Sequence, residues 1–423
     1  MLIVYMGEMA MVFDLTSWLI SPYILMSAAV FTGVLLGRLR IGRFSFGISG
    51  TLFTGLIIGW FVYGRYALPY EGTADAPAHA VNMLKNGVVH IDFFYLFLIL
   101  FVAAVGLLAS KDLGAVIRKY GIKFIILGFM ITFAGAAVTY LLVLASPGQD
   151  PFAVSGVYVG ALTSSPGLGA AIEAVSRYGT EAEAAVGAGY AISYPFGVLV
   201  VILAVQFIPL IFDIDMEAEK EVFKKEMAEA RLAAGARDIP EVSFDITGFV
   251  LTILIGYSIG SVKIYLGPMG QFSLGSTGGV LIGALLLGYI GDLGGIHFRM
   301  NNKVLGVIRE VALAFFLSIV GLRYGYRVFG ALLGGGAYLA FVSLVVGISA
   351  ILVGYLIGRH LFGINWIMLS GSICGGMTST PGLGAAIDAV GSDDPAAGYG
   401  AVYPFALLGM VVFTILLHRM PMG

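Results

Sequence analysis

Long apolar stretches separated by short polar ones recur along the chain, six on each side of a single charged interruption. The first set covers about 15 to 37, 46 to 66, 92 to 110, 122 to 145, 151 to 175 and 185 to 212. The second covers about 244 to 266, 274 to 291, 306 to 322, 333 to 358, 364 to 390 and 396 to 418. A bilayer core of about 30 Å takes roughly 20 apolar residues per helical crossing, so these lengths predict membrane helices. Between the sets, residues 213 to 241 hold nine acidic and five basic residues, among them Glu217, Glu219, Lys220, Lys224, Lys225, Glu226 and Arg231. That run predicts a solvated linker helix with helical charge pairs, with a membrane-surface or regulatory role as the alternative. The expected organisation is a membrane repeat over 1–212, a charged linker over 213–243 and a second membrane repeat over 244–423.

Composition agrees with lipid as the solvent. Of 423 residues 59% are hydrophobic and 11% charged, against about 25% charged in soluble domains, and the mean hydropathy is +0.96. Net charge is -2 and the 23 basic residues are dispersed, which argues against a nucleic-acid partner. The one cysteine, Cys374, excludes an internal disulfide and a cysteine-based metal cluster; it matches Val159 in the other half and is expected in the core. The five histidines, His79, His90, His297, His360 and His418, lack metal-ligand spacing, so neither a metal nor a cofactor is expected. The first basic residue is Arg38, a pattern unlike a cleaved secretory signal. Pairs such as Gly33 with Gly37 and Gly256 with Gly260 read as helix-packing faces.

The halves are copies. Gly160 to Val175, GALTSSPGLGAAIEAV, aligns with Gly375 to Val390, GGMTSTPGLGAAIDAV, at an offset of 215 with twelve of sixteen positions identical. At the same offset the run from Phe101 to Leu107 faces Phe316 to Leu322, and Tyr194-Pro195-Phe196 recurs as Tyr403-Pro404-Phe405. If the N-terminus lies outside and the fifth segment of each half dips in and returns, 16 of the 23 basic residues fall on the linker side, including Arg38, Arg43, Arg118, Lys119, Lys123, Arg299 and Lys303. If that segment crosses, the division is 11 to 12. The positive-inside rule favours the first arrangement, with a cytoplasmic linker. The expected fold class is an all-α polytopic membrane protein with two inverted-topology repeats, each of about five transmembrane helices plus a broken, re-entrant helical hairpin.

The chemistry sits in the break of segment five: Thr163-Ser164-Ser165-Pro166-Gly167 in the first half and Thr378-Ser379-Thr380-Pro381-Gly382 in the second. Ser165 and Thr380 suit the N-cap of a new helix, with Pro166 and Pro381 at its first position. Unpaired amides at membrane depth must be buried in protein or line a watery cavity. A helix N-terminus carries about half a positive charge and free donors, which suits a carboxylate. Two broken segments from inverted copies would meet near the midplane, where transporters bind cargo. The hydroxyls of Thr163, Ser164, Thr378 and Ser379 add donors for a small polar solute; the alternative is a buried turn with a packing role.

Glu173 and Asp388 are the charged members of this repeat. They are candidates for proton coupling, or for an interfacial role, because eight residues of helix carry them about 12 Å from the break. Tyr194 and Tyr403, each before a helix proline, are candidates for gating or substrate lining, with packing irregularity as the other reading. Arg309 and Arg323 have no counterparts in the first half and are candidates for a cationic partner to a second carboxylate, or loop residues obeying topology.

The paired T-S-[ST]-P-G-L-G-A-A-I-[ED]-A segments, each followed by a Gly-Tyr-x-x-x-Tyr-Pro-Phe or similar stretch, resemble the aspartate:alanine exchanger family of bacterial secondary carriers. The resemblance covers nearly all of both membrane halves and is strongest over Gly160 to Phe196 and Gly375 to Phe405. It implies antiport of amino acids or small carboxylates across the inner membrane, a homodimer and an elevator-like motion. Many relatives carry paired RCK-type regulatory domains between the halves, where here about 30 residues stand. An ion- or proton-coupled carrier of a small organic anion and an anion channel remain as alternatives. The channel has no carbonyl filter or ring of like charges in its favour. An enzyme or ATP-driven pump is disfavoured by the lack of a phosphate-binding loop or a clustered catalytic set.

Overall fold

The computed structural model describes residues 2–6, 9–41, 44–45, 47–234, 241–265, 271–333 and 336–420. Arg43, Arg237 and Asp238 lie outside the described residues, as do the side chains of Ser165, Pro166, Glu173 and Arg231.

Each expected apolar segment is helical. The first set supplies α1 (Pro22–Gly37), α2 (Gly50–Tyr66), α3 (Ile91–Ala109), α4 (Leu113–Leu144), a broken pair α5 (Pro151–Ala161) and α6 (Ser165–Val175), and α7 (Thr180–Ile211). The linker is α8 (Met216–Ala234). The second set supplies α9 (Ile246–Ser261), α10 (Gly275–Ile290), α11 (Asn302–Leu333), α12 (Ala337–Tyr355), a broken pair α13 (Trp366–Gly376) and α14 (Thr380–Val390), and α15 (Pro395–Arg419). Among the described residues six helices are long and apolar enough to cross a membrane, and the chain is a multi-pass membrane protein. Two-stranded hairpins, such as Asp292–Leu293 with Ile296–His297, occupy loops where no element was expected.

Compactness divides the chain into residues 1–98 with 311–330, and 99–310 with 331–423. In the first unit α1 and α2 approach at glycine: a Cβ on Gly33 would overlap the Thr51 backbone, and one on Gly50 the Gly33 carbonyl. Further along α2, Gly55 and Gly59 lie against the backbone of Ser318 and Leu322 in α11. Lipid offers no hydrophobic drive between helices, so small residues that admit close backbone contact hold them by dispersion. In the second unit Gly256 of α9 meets the backbone of Val280 in α10, and Gly106 of α3 meets Ala284. The glycine pairs are packing faces, as expected.

The rest of the second unit is built around the broken hairpins. Helix α5 packs on α7 and α13 on α15 through glycine: Gly156 abuts the Val186 carbonyl, and Gly371 abuts the Pro395 carbonyl. The second arms cross over, so that α6 of the first half packs on α15 and α14 of the second half packs on α7. The same exchange pairs α4 with α15 and α12 with α7.

The linker helix is largely exposed and carries an expected helical charge pair, Glu217 with Lys220 at 3.1 Å, but it is also docked. Phe223 and Met227 are buried, and its acids reach the unit it packs on. Glu226 accepts from the Tyr120 hydroxyl at 2.8 Å and pairs with Lys119 at 3.1 Å, while Glu219 pairs with Arg359 at 2.6 Å. These partners are remote in sequence, so the run of mixed charge could not distinguish docking from solvation.

Candidate functional site

Both breaks have the same local geometry. Helix α5 ends in a Schellman closure: the Thr163 amide donates to Gly160 O at 2.9 Å and the Ser164 amide to Val159 O at 2.8 Å. Helix α13 repeats it, with Thr378 to Gly375 O at 3.0 Å and Ser379 to Cys374 O at 2.8 Å. Such a closure needs a left-handed residue, usually glycine. Here threonine takes the position, at φ 54° in Thr163 and 52° in Thr378, although its branched side chain disfavours that region.

The hydroxyls explain the choice. Thr163 Oγ1 donates to Met377 O at 3.2 Å, and Thr378 Oγ1 donates to Leu162 O at 3.0 Å. Each acceptor is the carbonyl that ends the other hairpin's first helix, a group with no intrahelical partner. The two tips are therefore bonded reciprocally, and Thr163, Ser164, Thr378, Ser379 and Thr380 are buried. In this structure the threonine hydroxyls, expected as donors to a solute, are bonded to the opposing carbonyls.

One expectation is corrected, the position of the caps. Ser379, not Thr380, is the N-cap of α14, its Oγ accepting the Gly382 amide at 3.3 Å. Ser164 likewise accepts the Gly167 amide at 3.2 Å, so Ser165 and Thr380 each begin their helix. Both residue types cap well and proline is tolerated throughout the first turn, which let sequence reasoning slip by one position. Pro381 has no N–H, the Gly382 amide is capped and the Leu383 amide bonds Ser379 O. Among the described hydrogen bonds of that turn, only the Thr380 amide is uncommitted.

The Thr380 hydroxyl meets the hydroxyl of Tyr399 at 3.1 Å. Tyr399 stacks on Tyr403 with centroids 5.2 Å apart, and the Tyr403 ring lies against Gly278 of α10. Tyr399 and Tyr403 thus bridge from the start of α14 to α10. In the first half Tyr190 and Tyr194 lie 5.4 Å apart. Sequence reasoning singled out Tyr194 and Tyr403 but missed Tyr399; the four-residue spacing of the tyrosines, one turn apart on a helix face, was the available signal. Pro195 and Pro404 lie inside continuous α7 and α15.

The remaining candidates are elsewhere. Arg309 pairs with Asp393 in the α14–α15 loop and lies within electrostatic reach of Asp388. It therefore serves the outer end of the second hairpin, about 12 Å along α14 from the break. Arg323, in the first unit, donates to the carbonyls of Asn86 and Val89. Cys374 is buried in the core, as expected. A cavity of about 300 Å³ is lined by Lys111, Phe223, Asn302, Met368, Asp393 and Asp394 among others. Its lysine is already held by Glu241 and Asn302, both at 2.5 Å. Among the described residues no group of three acidic, histidine or cysteine side chains could hold a metal.

A family model described as a predicted permease membrane region, Asp-Al_Ex, matches residues 25–210 and 248–419, leaving the linker unmatched. The chain is also similar to proteins named as uncharacterised transporters. One from Bacteroides thetaiotaomicron is 35% identical over 169 residues, covering 40% of this chain and 32% of the relative. One from Rhodopirellula baltica is 34% identical over 186 residues, covering 44% and 35%. One from Desulfotalea psychrophila is 30% identical over 175 residues, covering 41% and 32%. The chain thus spans about a third of the length of these curated relatives.

Proposed function

The chain belongs to the Asp-Al_Ex family of membrane permeases, and from that premise we propose that it is a secondary transporter, exchanging amino acids or small carboxylates across the bacterial inner membrane. The observation that carries the proposal is the reciprocal bonding of Thr163 and Thr378 across two duplicated helix breaks. It brings two helix N-termini together inside one unit, and each favours an anion by about 0.3 to 2 kcal/mol. A substrate carboxylate accepts from the Thr380 amide and competes with Leu162 O and Met377 O for the threonine hydroxyls. Ser164, Ser165, Pro166 and Gly167, with Ser379, Thr380, Pro381 and Gly382, shape the two halves of the cradle.

Reciprocal contacts between equivalent residues are what a two-fold operator produces, which supports inverted repeats over 1–212 and 244–423. The exchanged packing of α6 on α15 and α14 on α7 supports movement of the hairpins as one body in an elevator-like cycle; the cytoplasmic linker rests on the distribution of basic residues, and the homodimer on the family resemblance. Asp388, with Arg309 and Asp393 beside it, is the acid placed to feel a change at the outer end of α14. The test is counterflow in proteoliposomes loaded with amino acids or dicarboxylates, with and without ion gradients. Saturable uptake driven by a trans substrate supports exchange. Flux that does not saturate points to a channel, and flux that needs an ion gradient to a symporter.

A further inference from the structure

The two hairpins are duplicated in sequence, yet their first helices are started differently. Asp150 and Asn365 occupy corresponding positions 215 residues apart. Asp150 caps α5 unaided, its carboxylate accepting the Phe152 and Ala153 amides at 2.9 and 3.4 Å. Asn365 accepts the Ile367 amide at 2.8 Å but brings no charge to the positive end of α13.

The charge arrives from the linker. Glu219 Oε2 accepts the Trp366 amide at 2.7 Å, and the Glu219 carbonyl accepts Asn365 Nδ2 at 2.9 Å. Arg359, in the turn after α12, grips both carboxylate oxygens at 2.6 and 3.2 Å. The Glu219 side chain is 13% exposed, so water screens this contact little. The same linker helix holds α4 through Glu226.

We infer that Glu219 is a positioning residue: it supplies in trans the carboxylate that Asp150 supplies in cis, and fixes where the second hairpin starts. Helix α13 is 11 residues long, about 16 Å at 1.5 Å per residue, so its starting point sets the depth of the Thr378 tip. The linker is then a fixed clamp on α4, α12 and α13, and its effect on cargo rests on the transport reading above.

The test compares full-length wild type, Glu219→Gln and Glu219→Gln with Asn365→Asp in lipid nanodiscs by hydrogen–deuterium exchange, and in proteoliposomes by counterflow. Glu219→Gln should speed exchange at amides 366–368 about tenfold, the loss expected for one charge-assisted bond, while amides 152–154 stay unchanged. Restoring a local acid with Asn365→Asp should return exchange at 367 and 368 toward wild type, as Asp150 holds 152 and 153, which a general loss of folding would not allow; the Trp366 amide, whose counterpart is Pro151 with no N–H, should stay fast. Unchanged exchange in Glu219→Gln, or no rescue by Asn365→Asp, overturns the positioning role. Counterflow should fall and recover in parallel; a wild-type protein without counterflow contradicts the transport reading and leaves the exchange result to judge the clamp.

Discussion

Threonine in a left-handed backbone costs about 1 to 3 kcal/mol, and the chain bears that cost twice, at Thr163 and Thr378. The cost is offset because each hydroxyl satisfies a buried helix-end carbonyl of the other hairpin. Thr163→Val removes the donor to Met377 O and should destabilise the protein by about 1 to 3 kcal/mol in denaturant unfolding in detergent, whereas Thr163→Ser keeps the donor and should lie close to wild type. A second residue-level outcome concerns Asp245, whose carboxyl is held below its ordinary value by the amides of His297 and Gly248. A depressed carboxylate contributes stability that is complete above its unfolded value, near 3.8, and is lost as pH falls through the lower folded value. Exchange at the His297 amide should therefore quicken below about pH 4 in wild type, after correction for intrinsic rates, and Asp245→Asn should abolish that step. Neither role could be read in the sequence: threonine is a poor left-handed residue, and the His297 contact depends on a loop hairpin 52 residues away.

The hairpin break is the element whose existence the chain declares most openly, because proline and glycine interrupt an apolar run twice at one offset. The cap position was less legible, since Ser164, Ser165, Ser379 and Thr380 are all capable caps and only the hydrogen bonds select Ser164 and Ser379. Ser379→Ala should cost about 1 kcal/mol and speed hydrogen exchange over 380–384, with 151–155 unaffected. Helix ends were misjudged where charge ended the apolar pattern but not the helix. Helix α4 begins at Leu113 and carries Arg118 and Lys119, and α11 runs on past Arg323 and Arg327 to Leu333. Arg118 and Arg327 are exposed, and one terminal nitrogen of Arg323 reaches backbone carbonyls, so these charges are accommodated without ending the helix.

For the molecule as a whole, duplication was legible and its consequence was not. The alignment of Gly160–Val175 with Gly375–Val390 implies two similar hairpins, but not that each packs on the other half's last helix. Pairing of that kind depends on surfaces that only assembled helices possess. The role proposed for the joined tips is to hold the cargo. Its most direct test is counterflow in proteoliposomes, comparing Thr163→Ser with Thr378→Ser against Thr163→Val with Thr378→Val. The serine pair should exchange substrate with a half-saturating concentration near that of wild type, and the valine pair should raise it at least about tenfold, the value of one good hydrogen bond, or abolish exchange. A valine pair that exchanges with wild-type half-saturation would contradict that role.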